Sequence, residues 1–186
     1  SRWGHLNEDY SLFTRLQAFA LDAHFMVEQM GRNSQKAFIN FNGTGGIWRK
    51  SCILDAGNWQ ADTLTEDLDL SYRAQQKGWE FVYRPDVVSP AELPPVMSAI
   101  KSQQFRWTKG GAECAMKHLG HVLTGKFPMK VKIHAVAHLL NSTIFIAILL
   151  VSLSSIPVWW GFYQGLIPLE YFKFAAFFLF GFVIIA

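Results

Sequence analysis

The sequence is short of charge and of cysteine. Of its 186 residues 51% are apolar and only 17% are charged, against about 25% charged in an ordinary soluble domain. So high an apolar share excludes a disordered chain. Two cysteines, Cys52 and Cys114, are too few and too far apart for a disulfide-stapled secreted scaffold. Nor does the start of the sequence show a basic stretch followed by a short apolar core and small-residue cleavage site. The scarcest commodity is charge beyond residue 132, where Glu170 and Lys173 are the only acid and base.

The chain is therefore two materials. Residues 1–132 have the mixed composition of a water-exposed α/β segment, and the remainder has the composition a bilayer demands, because a charge at its centre costs several kcal/mol. The span from Ile133 to Ile156 contains no Asp, Glu, Lys or Arg. At 1.5 Å per residue it would reach about 36 Å, enough for a hydrocarbon core of roughly 30 Å. Pro157 is expected to end that helix, and the aromatic, Gly-containing run to Pro168 to form a turn at the far surface. A second helix from Leu169 would return, still incomplete at Ala186, so the chain is expected to be an internal piece of a longer membrane protein.

Orientation follows from the basic residues. Residues 93–132 carry Lys101, Arg106, Lys109, Lys117, Lys126, Lys130 and Lys132 against the single acid Glu113. The excess of positive charge just before a span predicts that residues 1–132 face the cytosol, and such a stretch suits an anionic leaflet or an anionic substrate.

Within the soluble part, Leu12, Leu16, Phe19 and Ala23 at helical spacing predict a helix over 11–30. Residues 38–41 read as a short strand entering the turn 42–46. A short helix over 49–56 is closed by Gly57, and another over 65–77 by Gly78. Residues 79–84 alternate like a strand, 86–89 extend the sheet, and Pro94 and Pro95 open a long helix to about residue 119. Helices alternating with short strands predict an α/β layer.

Two groups of residues stand out chemically. Thr65-Glu66-Asp67 begins a helix, where Thr65 can cap and carboxylates are favoured by the macrodipole; acids at a helix start need no other explanation. Gln103, Arg106 and Trp107 lie at i, i+3 and i+4 of the long helix and share a face. An indole stacks on a sugar ring, a guanidinium pairs with phosphate oxygens and an amide holds hydroxyls, although a membrane-surface Trp with snorkelling bases uses the same residue types. His118 with His121, and His134 with His138, have helical ligand spacing but no third ligand. The Asn42 and Asn141 glycosylation sequons would lie in the cytosol and in the membrane, so neither is expected to be used.

Phe41-Asn-Gly-Thr-Gly45, Thr65-Glu-Asp67 and Gln103-Gln-Phe-Arg-Trp107, in that order before an apolar span, resemble the processive family-2 glycosyltransferases, the cellulose, mannan, glucan, chitin and hyaluronan synthases. The Asn-Gly-Thr form of the turn leans toward the mannan and glucan synthase-like branch. The resemblance implies an α/β fold, the C-terminal half of a GT-A type glycosyltransferase domain followed by transmembrane α-helices. It implies a partial catalytic domain over 1–92, a basic membrane-proximal helical segment over 93–132, a span over 133–157 and a truncated second span over 169–186.

By the same resemblance Asp67 would be the general base, with Glu66 and Thr65 beside it. Trp107 would stack on the acceptor sugar, and Gln103, Arg106, Asn42 and Gly43 would line the acceptor and diphosphate site. The implied activity is an inverting transfer of hexose from a nucleotide sugar to a β-linked polysaccharide. The implied cofactor is a divalent metal, Mg or Mn, bound at an Asp-x-Asp element. No Asp-x-Asp precedes Phe41, and the only match, Asp67-Leu-Asp69, is where the base belongs, so the metal ligands are expected outside this chain, which alone would be inactive. The expected partners are a nucleotide-sugar donor, a polysaccharide acceptor and membrane lipids, with no nucleic acid. The expected location is a multi-pass membrane protein, in a bacterial inner membrane rather than the Golgi. A non-catalytic membrane scaffold, or an enzyme glycosylating a lipid carrier, fits parts of the same pattern.

Overall fold

The computed structural model describes residues 1–173 and 175. The chain forms two compact units, one over Ser1–Ser142 and one from Thr143 onward. The first is mostly helical, around a small parallel sheet of β1 (Arg2–His5) and β2 (Val88–Ala91), in register from Arg2 opposite Val88 to His5 opposite Ala91. Only the second of these strands overlaps a predicted one.

Residues 38–41 and 79–84, expected as strands, form no regular secondary structure and join no ladder in the described residues. Their backbone groups are satisfied by side chains instead. Gln75 accepts from the Ile39 N–H at 2.9 Å and donates to the Ile39 carbonyl at 2.7 Å, and Ser71 Oγ accepts from the Phe41 N–H at 2.9 Å. Gln29 donates to the Asn40 carbonyl, and Asn33 accepts from the Tyr83 N–H. A buried backbone must find partners somewhere, and amide side chains on neighbouring helices supply them here.

The first helix starts at α1 (Leu12–Ala23), passes through a π-helical turn at His24–Gln29 and ends as α2 (Met30–Ser34). Ser11 and Thr14 cap it reciprocally, the Ser11 hydroxyl accepting from the Thr14 N–H and Thr14 Oγ1 from the Ser11 N–H. An apolar stripe of this kind ordinarily packs inward. Here it faces outward, with Leu12 70% and Phe19 76% exposed, while Thr14 and Gln29 on the opposite side are 0% and 1% exposed. The inner side mixes the buried Ala18 and Phe25 with two polar residues, Thr14, which caps the helix, and Gln29, which bonds to the unpaired segment at residue 40.

α3 (Lys50–Asp55), α4 (Glu66–Gln76) and α5 (Met97–Thr124) follow the predicted pattern, α3 and α4 ending before Gly57 and Gly78, both at positive φ. α5 starts just after the two prolines, with Val96 at its cap. One core joins α4, α5 and α6 (Met129–Leu139) through Phe38, Tyr72, Cys114, Val122, Ala135 and Leu139. Residues 133–139, expected as the opening of the span, thus pack in the first unit.

In the second unit α7 (Ile144–Tyr163) runs through Pro157, which was expected to stop it, and ends at a turn where the Leu166 N–H bonds the Gly161 carbonyl and Gly165 takes φ +73°. Proline is tolerated inside apolar helices of this sort where other groups adjust. The hydroxyls of Ser152, Ser154 and Ser155 are folded back onto helix carbonyls. Among the described residues one helical stretch, Met129–Tyr163, made of α6, a 3-10 turn at Leu140–Thr143 and α7, is long and apolar enough to cross a membrane by length and composition. Residues 169–173 are helical again, and the rest of the second expected span lies outside the described residues apart from Ala175.

Candidate active site

The site is assembled around the start of α4. Thr65 occupies the cap position but makes no capping bond with its side chain. Its Oγ1 instead lies 3.5 Å from Cys114 Sγ on α5. α5 comes this close because residue 110 is glycine: a Cβ there would sit 2.6 Å from Thr65 Oγ1 and 2.8 Å from the Thr65 nitrogen. Glu66 is exposed, and Asp67 is half-buried.

Asp67 connects the helix to the turn at 42–45. Its Oδ2 accepts from the Gly43 N–H at 2.7 Å and its Oδ1 from the Leu68 N–H at 2.8 Å. The turn is closed by the Gly45 N–H on the Asn42 carbonyl at 2.9 Å, and Asn42 Oδ1 accepts from Asn40 Nδ2 at 2.6 Å. Gly43 takes φ +53°, where an L side chain is strained. Burial pushes the Asp67 carboxyl above the usual aspartate range, and the neighbouring Glu66 charge adds to this, against the Gly43 and Leu68 bonds that favour the anion. A carboxylate with raised proton affinity is a better proton acceptor near neutral pH.

On α5 the predicted face divides. Gln103 and the exposed Arg106 line an open groove of about 400 Å³ with Glu92, Leu93, Pro94 and Ser102. Trp107 turns toward β1, its ring 6.3 Å from that of Trp3. Trp3 lies beneath the 42–45 turn, where a Cβ on Gly45 would come within 3.1 Å of its indole nitrogen and one on Gly43 within 3.9 Å of its ring. Trp3 therefore joins the turn that holds Asp67 to the tryptophan of α5. The sequence reading missed it; its one signal is an indole in a short run, Arg2-Trp-Gly-His5, that turns out to be a strand.

A second cavity, of about 540 Å³, borders the turn at Asn42, Thr44 and Gly45 and is lined also by Phe41, Trp48 and Tyr83. Asp67 and Asp69, the two acids of the lone Asp-x-Asp, do not converge on one point. Asp69 is fully buried and accepts from His118 Nε2 at 2.8 Å and from Arg73 Nε at 2.8 Å, with Lys117 Nζ also at 2.8 Å. With Arg73, Lys117 and His118 all bonded to it, Asp69 has no capacity left for a metal ion. Two further histidines are engaged too, His138 Nδ1 lying 2.8 Å from the Tyr72 hydroxyl and His134 Nε2 3.1 Å from Gln35 Oε1.

Comparison with known proteins shows the family. The family model described as "Glycosyl transferase family group 2" matches residues 3–185. The chain belongs to glycosyl transferase family group 2. It is 42% identical over 146 residues to a probable glucomannan 4-beta-mannosyltransferase 4 of Oryza sativa subsp. japonica, a match covering 78% of this chain and 26% of that protein. It is 45% identical over 126 residues to glucomannan 4-beta-mannosyltransferase 1 of the same organism, covering 68% of this chain and 24% of the relative. Against glucomannan 4-beta-mannosyltransferase 2 of Arabidopsis thaliana the identity is 43% over 126 residues, with 68% and 24% covered. These relatives mark a cellulose synthase-like member of family group 2, and the family implies a GT-A fold. The chain spans about a quarter of the length of the curated relatives it matches. No solved structure matches it.

Proposed function

We propose that the complete protein is an inverting, processive, membrane-embedded synthase that transfers hexose from a nucleotide sugar to a growing β-linked polysaccharide. The observation that carries this reading is the half-buried Asp67 carboxylate, held by the Gly43 amide at a helix start and joined through the 42–45 turn and Trp3 to Trp107. Asp67 takes the proton from the acceptor hydroxyl as that oxygen bonds to the anomeric carbon and the bond to the departing diphosphate breaks, with inversion. General-base catalysis of this kind contributes typically 10²–10⁴-fold. Trp107 stacks on the acceptor sugar, Gln103 holds its hydroxyls and Arg106 faces the diphosphate. Asn42, Gly43, Thr65 and Glu66 shape the wall between them. The names of the relatives support a mannosyl unit and a 4-hydroxyl acceptor.

A divalent cation, Mg²⁺ or Mn²⁺, would neutralise the leaving diphosphate. The residues described do not build its site, because Asp69 is committed to Arg73, Lys117 and His118, so its ligands belong to another part of the protein. Residues 1–92 and 93–132 are assigned to the cytosolic catalytic part and its basic membrane-proximal helix, and the exposed apolar helix α7, Ile144–Tyr163, to the first of several spans. The helical stretch Met129–Tyr163 supports that placement, as does the outward apolar stripe of Leu12, Leu16 and Phe19, which suits contact with lipid. A scaffold role would leave the Asp67 environment without a use.

The test is synthesis by the complete reading frame in membranes, supplied with labelled nucleotide sugars of mannose and glucose and followed by linkage analysis. Asp67→Asn is expected to lower polymer formation at least about 10²-fold. Undiminished synthesis by that variant would remove the assignment of the base, and transfer of a single sugar to lipid would replace processive synthesis with the carrier reaction.

A further inference from the structure

Asp67 and Asp69 are two residues apart in the first turn of α4, so they project to different sides of it. One reaches the Gly43 amide and the other enters the interior against α5. A fully buried carboxylate persists only where cations and hydrogen bonds replace water. Burial opposes the Asp69 charge, yet the bonds from His118, Arg73 and Lys117 outweigh it and hold the carboxyl far below the usual carboxylate range.

Each of these partners is itself fastened. Lys117 Nζ also reaches Asp62 at 2.8 Å and Gln60 at 2.8 Å, Arg73 donates to the Ala56 carbonyl, and His118 Nδ1 accepts from Gln76 Nε2 at 3.3 Å. One turn further along α4, Tyr72 stacks between His118 and His138, with ring centroids 5.5 and 5.8 Å apart. The underside of the helix that presents Asp67 is thus bolted to α5 and α6 by directional bonds, where apolar packing alone would permit sliding.

We propose that Asp69 is a positioning residue for the transfer reaction: held by Arg73, Lys117 and His118, it fixes the first turn of α4 against α5 and so keeps Asp67 at the Gly43 amide. The inference rests on Asp67 being the base. Asp69 touches no substrate; it sets where the proton acceptor stands. A displacement of about 1 Å at a reacting group is worth on the order of 10² in rate.

The experiment uses the complete enzyme in membranes and compares Asp69→Asn, Lys117→Met, His118→Gln and His118→Leu with the parent, with Asp67→Asn in the same assays. For Asp69→Asn the expected result is a 10- to 100-fold fall in kcat with the donor KM within twofold. The acid limb of the kcat profile moves to lower pH, because a loosened α4 admits water to Asp67. His118→Gln, which keeps an N–H donor for Asp69, retains more activity than His118→Leu, and Asp62→Asn, changed at the exposed end of the network, stays within threefold.

A folded Asp69→Asn with kcat within twofold and an unmoved acid limb overturns the proposal. Should Asp69→Asn fail to fold, the same criterion applies to Lys117→Met, which removes one bond of the three. If Asp67→Asn is inactive while Asp69→Asn is normal, only this inference falls. If Asp67→Asn is active, the assignment of the base falls first.

Discussion

The two halves of α5 are built for different purposes. From Gly110 onward the helix buries Gly110, Cys114, Ala115, His118 and Val122, and its side chains hold residues 60–69 in place. Glu113 accepts from the Leu64 N–H at 2.8 Å, Cys114 meets Thr65, Lys117 binds Gln60 and Asp62, and His118 binds Asp69. Before Gly110, Met97, Lys101, Phe105 and Arg106 are exposed. The side chains of Gln103 and Arg106 form no hydrogen bond or ion pair among the described residues. The later half ties down the start of α4, and the earlier half leaves the side chains of Gln103 and Arg106 without an internal polar partner among the described residues. Polar groups left free on a rigid element can be spent on a ligand without first breaking internal bonds.

The sharpest way to break this contrast is to exchange the consequences of mutation. Arg106→Ala removes an exposed guanidinium with no partner, so stability should change by no more than about 0.5 kcal/mol. Polymer synthesis should fall on the order of 10²–10³-fold if the cation stabilises departing phosphate. Equal synthesis by Arg106→Ala and the parent would show that the open half is not a substrate surface. His118→Leu should behave in the opposite way. It leaves the buried Asp69 carboxylate short of a partner, at a cost of about 3–5 kcal/mol, read as a lowered melting temperature of the purified protein in detergent.

The same contrast has a pH signature. Because the Asp69 carboxyl is depressed in the fold, its stabilising contribution is complete above the ordinary aspartate range, near pH 4, and is lost as pH falls toward the depressed value. His118→Leu weakens that depression, so its acid unfolding midpoint should move to higher pH than the parent's. Coincident acid midpoints would mean that Lys117 and Arg73 carry Asp69 without His118.

How much of this was legible in the sequence depended on whether local rules governed the residue. The helices around Thr65-Glu66-Asp67 and Gln103–Trp107 were legible because caps, closing glycines and 3.6-residue spacing act locally. The strand status of 38–41 and 79–84 was not, because a ladder needs a neighbour and these segments take their bonds from Gln75, Ser71 and Asn33. Residues 11–30 were readable as a helix, yet the outward direction of Leu16 and Phe19 was set by what Thr14 and Gln29 bond on the other side. Asp69 was noticed only as a failed metal element, since the spacing of Lys117 and His118 from it gives no hint of contact. Trp3 was silent for the same reason: its partners lie about 40 and 100 positions away, at Gly43, Gly45 and Trp107.

Gly110 is where the two halves meet, and it offers the most discriminating of the smaller tests. Gly110→Ala places a methyl 2.6 Å from the Thr65 side chain and 2.8 Å from its backbone nitrogen. Because backbone cannot rotate away, α5 and the start of α4 must separate, at about 1–3 kcal/mol for an overpacked contact. Unlike Arg106→Ala or His118→Leu, this variant should lose stability and polymer synthesis together, since Thr65 precedes Asp67 by two residues and moves with it. Gly111→Ala supplies the matched control. Its methyl would meet only the Ser142 hydroxyl, at 2.7 Å, and a serine side chain can turn to another rotamer for less than about 1.5 kcal/mol. Thermal unfolding and polymer synthesis measured on both variants should separate them. If Gly111→Ala proved the more damaging to synthesis, the crossing of α5 over Thr65 would not be what sets the carboxylate, and the division of the helix at residue 110 would lose its meaning.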